Sequence, residues 1–89
     1  MKAVVTVTGK DKVGIIAMAS AECAKYGVNI IDISQTVMKE YFAMIMLVDL
    51  ADCPLTFSEL SELLKTKGAE RLLDIHIQRS DIFEAMHRI

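Results

Sequence analysis

The chain has 89 residues, 53% of them hydrophobic and 25% charged, enough for one small domain that is rich in apolar side chains for its size. Ten Lys and Arg against twelve Asp and Glu leave a net charge of -2 with no basic run, so nucleic-acid binding lacks an electrostatic footprint. No apolar run reaches the roughly 18 residues of a membrane span, and the N-terminus enters a strand pattern rather than a signal peptide, so a cytoplasmic protein is expected.

From Lys2 to Thr8 the apolar Ala3, Val5 and Val7 alternate with Lys2, Thr6 and Thr8, the pattern of a half-buried strand. The period turns helical from Lys12 to Tyr26. Ile15, Ile16, Ala19, Cys23 and Tyr26 fall within about 100° of one another, the width of a core-facing stripe, and Ala17, Ala21 and Ala24 form the opposite side. The turn between them reads Thr8-Gly9-Lys10-Asp11-Lys12-Val13-Gly14-Ile15-Ile16. Asp11 is the natural N-cap of the helix, because its carboxylate can accept from the amides of Val13 or Gly14. Gly14 then falls in the first helical turn, where glycine costs about 0.5 to 1 kcal/mol relative to alanine and signals close approach of a backbone or a ligand. Gly27 supplies the left-handed position that ends the helix.

The second strand opens at Asn29. Ile31, Ile33 and Val37 point to one face, and Asp32, Ser34 and Thr36 to the other. Lys39-Glu40 forms the hairpin turn, without the glycine or asparagine such loops prefer. The third strand, Tyr41 to Val48, is apolar on both faces and reads as central in its sheet. Thr56 and Glu59 then make a capping box, flanked by a hydrophobic staple of Leu55 and Leu60. Phe57, Leu60, Leu63 and Leu64 form the buried stripe of this second helix, and Gly68 is expected to end it. A fourth strand from Glu70 to Arg79 places Leu73, Ile75 and Ile77 inward, with Asp74, His76 and Gln78 outward.

The order is β-α-β-β-α-β, an α+β ferredoxin-like sandwich of a four-stranded antiparallel sheet with two helices on one face. Residues 1–79 form the domain, and residues 80–89 a short amphipathic helical tail whose Ile82, Phe83, Met86 and Ile89 share one side. So short a helix is stable only when docked on its own domain or on a partner.

Two glycine-marked segments give the chain a resemblance to the ACT domain, the small regulatory module of amino-acid metabolism. Asp11-Lys12-Val13-Gly14-Ile15-Ile16-Ala17 is similar to the family's D-x-x-G-I-[LIV]-A, and Gly27-Val28-Asn29-Ile30 stands in place of its G-[IV]-N-I. As a whole the chain resembles free-standing, single-domain members of that family. The resemblance implies a homodimer that binds a small ligand, typically an amino acid, where two domains meet, with no catalytic residues, cofactor or metal. Asp11, Gly14, Ile15, Asn29 and Ile30 are the expected ligand-binding residues. Strand directions add a constraint, since the Gly14 turn and Asn29 should lie at opposite ends of one domain and meet only across a two-fold axis.

Other classes fit less well. The turn offers Lys10 and Lys12 but no arginine to hold a transferred phosphate, and Ile15-Ile16 occupy the positions where a P-loop needs Lys-Ser/Thr. Cys23 and Cys53 have neither C-x-x-C nor metal-ligand spacing and read as reduced structural thiols. Asp74 and His76 are at most half a metal site. The serious alternative is a protein-protein interaction module with no small ligand, acting on a regulated protein partner, given the two-sided apolar third strand and the amphipathic tail.

Overall fold

The computed structural model describes residues 1–10 and 14–81. Among the described residues four strands and two helices follow the expected order: β1 (Lys2–Gly9), α1 (Ile15–Lys25), β2 (Asn29–Met38), β3 (Tyr41–Asp49), α2 (Phe57–Glu70) and β4 (Asp74–Arg79). The sheet is antiparallel at each pairing and ordered β2-β3-β1-β4, so β3 and β1 are central and β2 and β4 form the edges. Both helices bury their stripes on one face. Ile15, Ala19 and Cys23 of α1 and Leu60 and Leu64 of α2 join Val5, Val7, Met44, Met46 and Val48 in a single core cluster. This is the α+β ferredoxin-like sandwich; the tail from Ile82 to Ile89 lies outside the described residues, as does the expected cap Asp11.

Local chemistry sets both ends of most elements. The capping box forms as expected: Glu59 donates its backbone N–H to Thr56 Oγ1 at 3.1 Å, and Thr56 donates its own to Glu59 Oε1 at 2.9 Å. Behind it Leu55 packs against the core and Leu60 is buried. Helix α1 closes on Gly27 at φ +70°, with Val28 N–H bonded to the Cys23 carbonyl at 2.8 Å and Gly27 N–H to that of Ala24 at 3.4 Å. These are the paired bonds of a Schellman close. A Cβ on Gly27 would also stand 2.6 Å from the Asp52 carbonyl oxygen, so glycine is required there twice over.

Five expectations are corrected. Helix α1 begins at Ile15, and Gly14 precedes it at the cap with φ +76°, a left-handed conformation that explains the glycine better than a place in the first turn. Gly68 does not end α2. The helix continues to Glu70, and Gly68 is buried against β4, where a Cβ would stand 2.7 Å from Ile75 Cγ1 and 3.0 Å from the Leu73 carbonyl oxygen. The close falls instead at Leu72, with φ +59°, and strand β4 correspondingly starts at Asp74 rather than Glu70. In β2 a bulge between Ile30 and Asp32 lets Ile30 pair with Val48 and pack on the core, while Ile31 is pushed out to the surface. Ile16 is 41% exposed, and Met18 packs against the core in its stead.

Candidate functional site

Strand register fixes where each expected site residue stands. Lys2 and Asn29 both pair with Asp49, whereas Gly9 pairs with Phe42, seven rungs along β3. At about 3.3 Å per residue the two ends of the sheet are about 23 Å apart. Asn29 therefore belongs to one pole and the Gly14 turn, which follows Gly9, to the other, and no ligand of amino-acid size touches both within one protomer.

At the Asn29 pole the backbone enters β2 directly from the Gly27 close. The Asn29 side chain is exposed and makes no hydrogen bond among the described residues, so its amide keeps both donor and acceptor free. Ile30 beside it is half-buried and packs on the core. Asp49 across the strand is held by local contacts, its Oδ1 accepting from Ala51 N–H at 2.9 Å and lying 3.9 Å from the N-terminal ammonium.

At the opposite pole the end of β1, the β2–β3 hairpin and the α2–β4 corner come together. Ile15 is 1% exposed and belongs to the core, so at this position only backbone is offered to a ligand. No described side chain caps the start of α1, leaving first-turn amides free to receive an anion among the described residues. Arg71, which the sequence gave no reason to single out, reaches this turn, and a Cβ on Gly14 would stand 3.1 Å from its Nη2. Next to it lies an open cleft of about 520 Å³ lined by Gly9, Lys10, Tyr41, Arg71, Leu72 and Asp74. Lys10 Nζ sits 5.8 Å from the Tyr41 ring centroid.

The remaining polar chemistry is sparse. Asp74 and His76 form a pair at 3.0 Å on the exposed face of β4, and no group of three or more His, Cys, Asp or Glu suited to a metal occurs among the described residues. Cys23 is buried; burial, then the Glu22 carboxylate, then Cys53 push its thiol up, the direction that keeps a thiol unreactive. No described helix is long and apolar enough to cross a membrane.

Fold and pole together define an α+β ferredoxin-like domain with an open cleft beside a glycine turn. The ACT domain profile matches residues 2–78, and the chain belongs to the ACT domain family. It is 47% identical to a UPF0237 protein of Listeria innocua over the full length of both chains. An ACT domain protein from Streptococcus pneumoniae superposes with a TM-score of 0.84 at 46% identity, with 98% of each chain covered. A formyltetrahydrofolate deformylase from Pseudomonas syringae shares the fold at 21% identity and a TM-score of 0.78; the match spans 88% of this chain and 27% of that longer one. Membership of this family makes the chain a regulatory, small-ligand-binding domain in kind.

Proposed function

We propose that the protein senses an amino acid at a site shared by two copies of the chain, with Asp11, Gly14 and Ile15 of one protomer facing Asn29 and Ile30 of the other. The observation that carries this reading is the separation of the two half-sites by the length of the sheet, each with unspent hydrogen-bonding capacity among the described residues. Strand β2 is the natural seam. It is a sheet edge, and Val37, Met38 and the neighbouring Tyr41 are exposed along it. Its stretch from Asp32 to Met38 is free of the bulge. A two-fold at the centre of that stretch sets Asp32 against the partner's Met38. The partner's Asn29 then lies beyond the hairpin end, at the pole of the Gly14 turn. First-turn amides and Arg71 suit a carboxylate, and the Asn29 amide suits an amino-acid backbone.

The test combines sedimentation with a thermal-unfolding screen against the common amino acids. A ligand at about 100 times its dissociation constant adds about 2.7 kcal/mol to a native state that alone binds it. For a domain of this size each kcal/mol moves the midpoint by about 4 to 8 °C. Asn29→Ala should remove the ligand shift while leaving the unliganded midpoint within a few degrees. A monomer in sedimentation refutes the shared site. A flat screen at saturating concentrations transfers the exposed β2 edge to the protein-interaction reading.

A further inference from the structure

We propose that the C-terminal segment, residues 82–89, is an internal cover that lies across the sheet face opposite the helices, over Val4 and Leu47 of its own chain. The reading needs neither a ligand nor a second copy and stands apart from the shared site above. Strand alternation sends Ala3, Val5 and Val7 into the core between sheet and helices, and Val4 to the other face. Val4 is nevertheless only 6% exposed, and it is not a member of that core cluster. Its partners in the sheet, Leu47 on β3 and Gln78 on β4, stand beside it and cannot roof it. Both described helices lie on the far side of the sheet. A further segment has to cover Val4.

The burial is confined to one row. Leu47 and Gln78, in register with Val4, are half-buried, whereas Ile45 and His76, which flank Thr6 in the next row of the same face, are exposed. Arg79, the last residue of β4, pairs with Ala3, one rung from Val4. The backbone is helical at Ser80 and Asp81, and the Arg79 guanidinium meets Asp81 Oδ2 at 3.2 Å. The chain therefore leaves the sheet beside the covered row. Carried on as a helix at about 1.5 Å per residue, residues 80–89 reach about 15 Å, and the three strand spacings from β4 across β1 and β3 to β2 come to about 14 Å. Helical spacing groups Ile82, Phe83, Met86 and Ile89 on one side and Glu84, His87 and Arg88 on the other, which gives an apolar side to Val4 and Leu47 and a charged side to water. So short a helix is marginal by itself, and the apolar row supplies the packing it requires. With that row occupied, face-to-face stacking of two sheets is blocked and the β2 edge remains for a second copy.

The experiment is a NOESY on the intact protein, uniformly ¹³C-labelled, and its isotope-filtered form on an equal mixture of labelled and unlabelled chains. The expected result is contacts from the Val4 and Leu47 methyls to the Phe83 ring in the uniform sample, and none in the filtered spectrum, which reads contacts between copies alone. Thermal midpoints of the full chain carrying Val4→Ala, Phe83→Ala or both give a second reading. The double variant should lose less than the two single losses together, by about 2 °C or more. Contacts in the filtered spectrum would overturn the internal cover in favour of a tail exchanged between copies. Val4 without a contact to any of residues 82–89, or strictly additive losses, would overturn the cover itself.

Discussion

Arg71 and Gly14, fifty-seven positions apart by their numbers, are neighbours: the Arg71 guanidinium closes on the glycine so nearly that a Cβ there would stand 3.1 Å from Nη2. That contact ties the C-terminal end of α2 to the N-terminal end of α1. It also sets one cation beside helix-start amides that no described side chain caps.

Gly14→Ala should destabilise the protein by about 1 to 2 kcal/mol, because an L side chain pays that much for the left-handed region. The backbone at φ +76° supplies the cost, and the flexible end of Arg71 can move aside. Arg71→Ala removes the neighbour without the strain and should change stability by less than about 0.5 kcal/mol. Thermal melts of the two variants separate the causes. Equal destabilisation would mean that the contact, and not the conformation, holds the turn.

At Leu72 the same argument reverses. Leu72→Gly relieves about 1 to 2 kcal/mol of left-handed strain and gives back about 0.5 to 1 kcal/mol through the greater freedom of glycine in the unfolded chain. With the side chain 91% exposed, little burial is lost. A net gain of about 0.5 to 1 kcal/mol is expected, read as a higher urea midpoint at unchanged m-value. A variant less stable than the parent would show that the Leu72 side chain packs in solution.

Gly68→Ala should destabilise, although helix propensity taken alone favours alanine by about 1 kcal/mol. The Ile75 side chain occupies the space, with Cγ1 at 2.7 Å and Cδ1 at 2.9 Å from a built Cβ, and the Leu73 carbonyl oxygen at 3.0 Å cannot yield as a side chain can. Ile75→Val removes Cδ1 and should recover part of the loss, so a double-mutant cycle in urea reads a favourable coupling between the two sites. Strict additivity would place the strain in the atoms that valine leaves in place, Ile75 Cγ1 and the Leu73 carbonyl oxygen.

These glycines show where the sequence was legible and where it was not. Signals that act within a few residues, such as Thr56 with Glu59 or Gly27 after the α1 stripe, could be read directly, because their hydrogen bonds close inside the element they terminate. Gly68 looked like the same kind of stop. Its purpose is tertiary, the approach of Ile75 from β4, and no local pattern carries that. The Ile31 expectation failed for a related reason: alternation read back from Val37 and Ile33 is right until the bulge adds one residue, so that Ile30 and not Ile31 takes the inward place. Ile15 was legible as an apolar stripe residue, but the depth of its burial was not, and that depth limits it to a backbone role at the turn. Arg71, Leu72 and Lys10 were invisible as a group, since a lone cation in a turn reads as solvated until three distant segments are brought to one pole.

The capping box gives a prediction whose sign depends on pH. Glu59 accepts the Thr56 backbone N–H, and this bond first, then the Thr56 hydroxyl, holds its carboxyl below the usual glutamate range. A group whose folded pKa is depressed contributes stability that is present above its unfolded value, about 4.3 for glutamate, and is lost as pH falls through the folded one. Glu59→Gln keeps an oxygen acceptor for the same N–H but carries no charge towards the helix start. The parent should therefore exceed the variant in thermal midpoint by a constant amount above about pH 5, and the gap should narrow as pH drops below about 4.3. Melts taken at fixed ionic strength from about pH 6 to about pH 3 decide it. Parallel curves through that window would assign the box to its geometry alone, because a neutral amide would then serve the Thr56 amide as well as a carboxylate does.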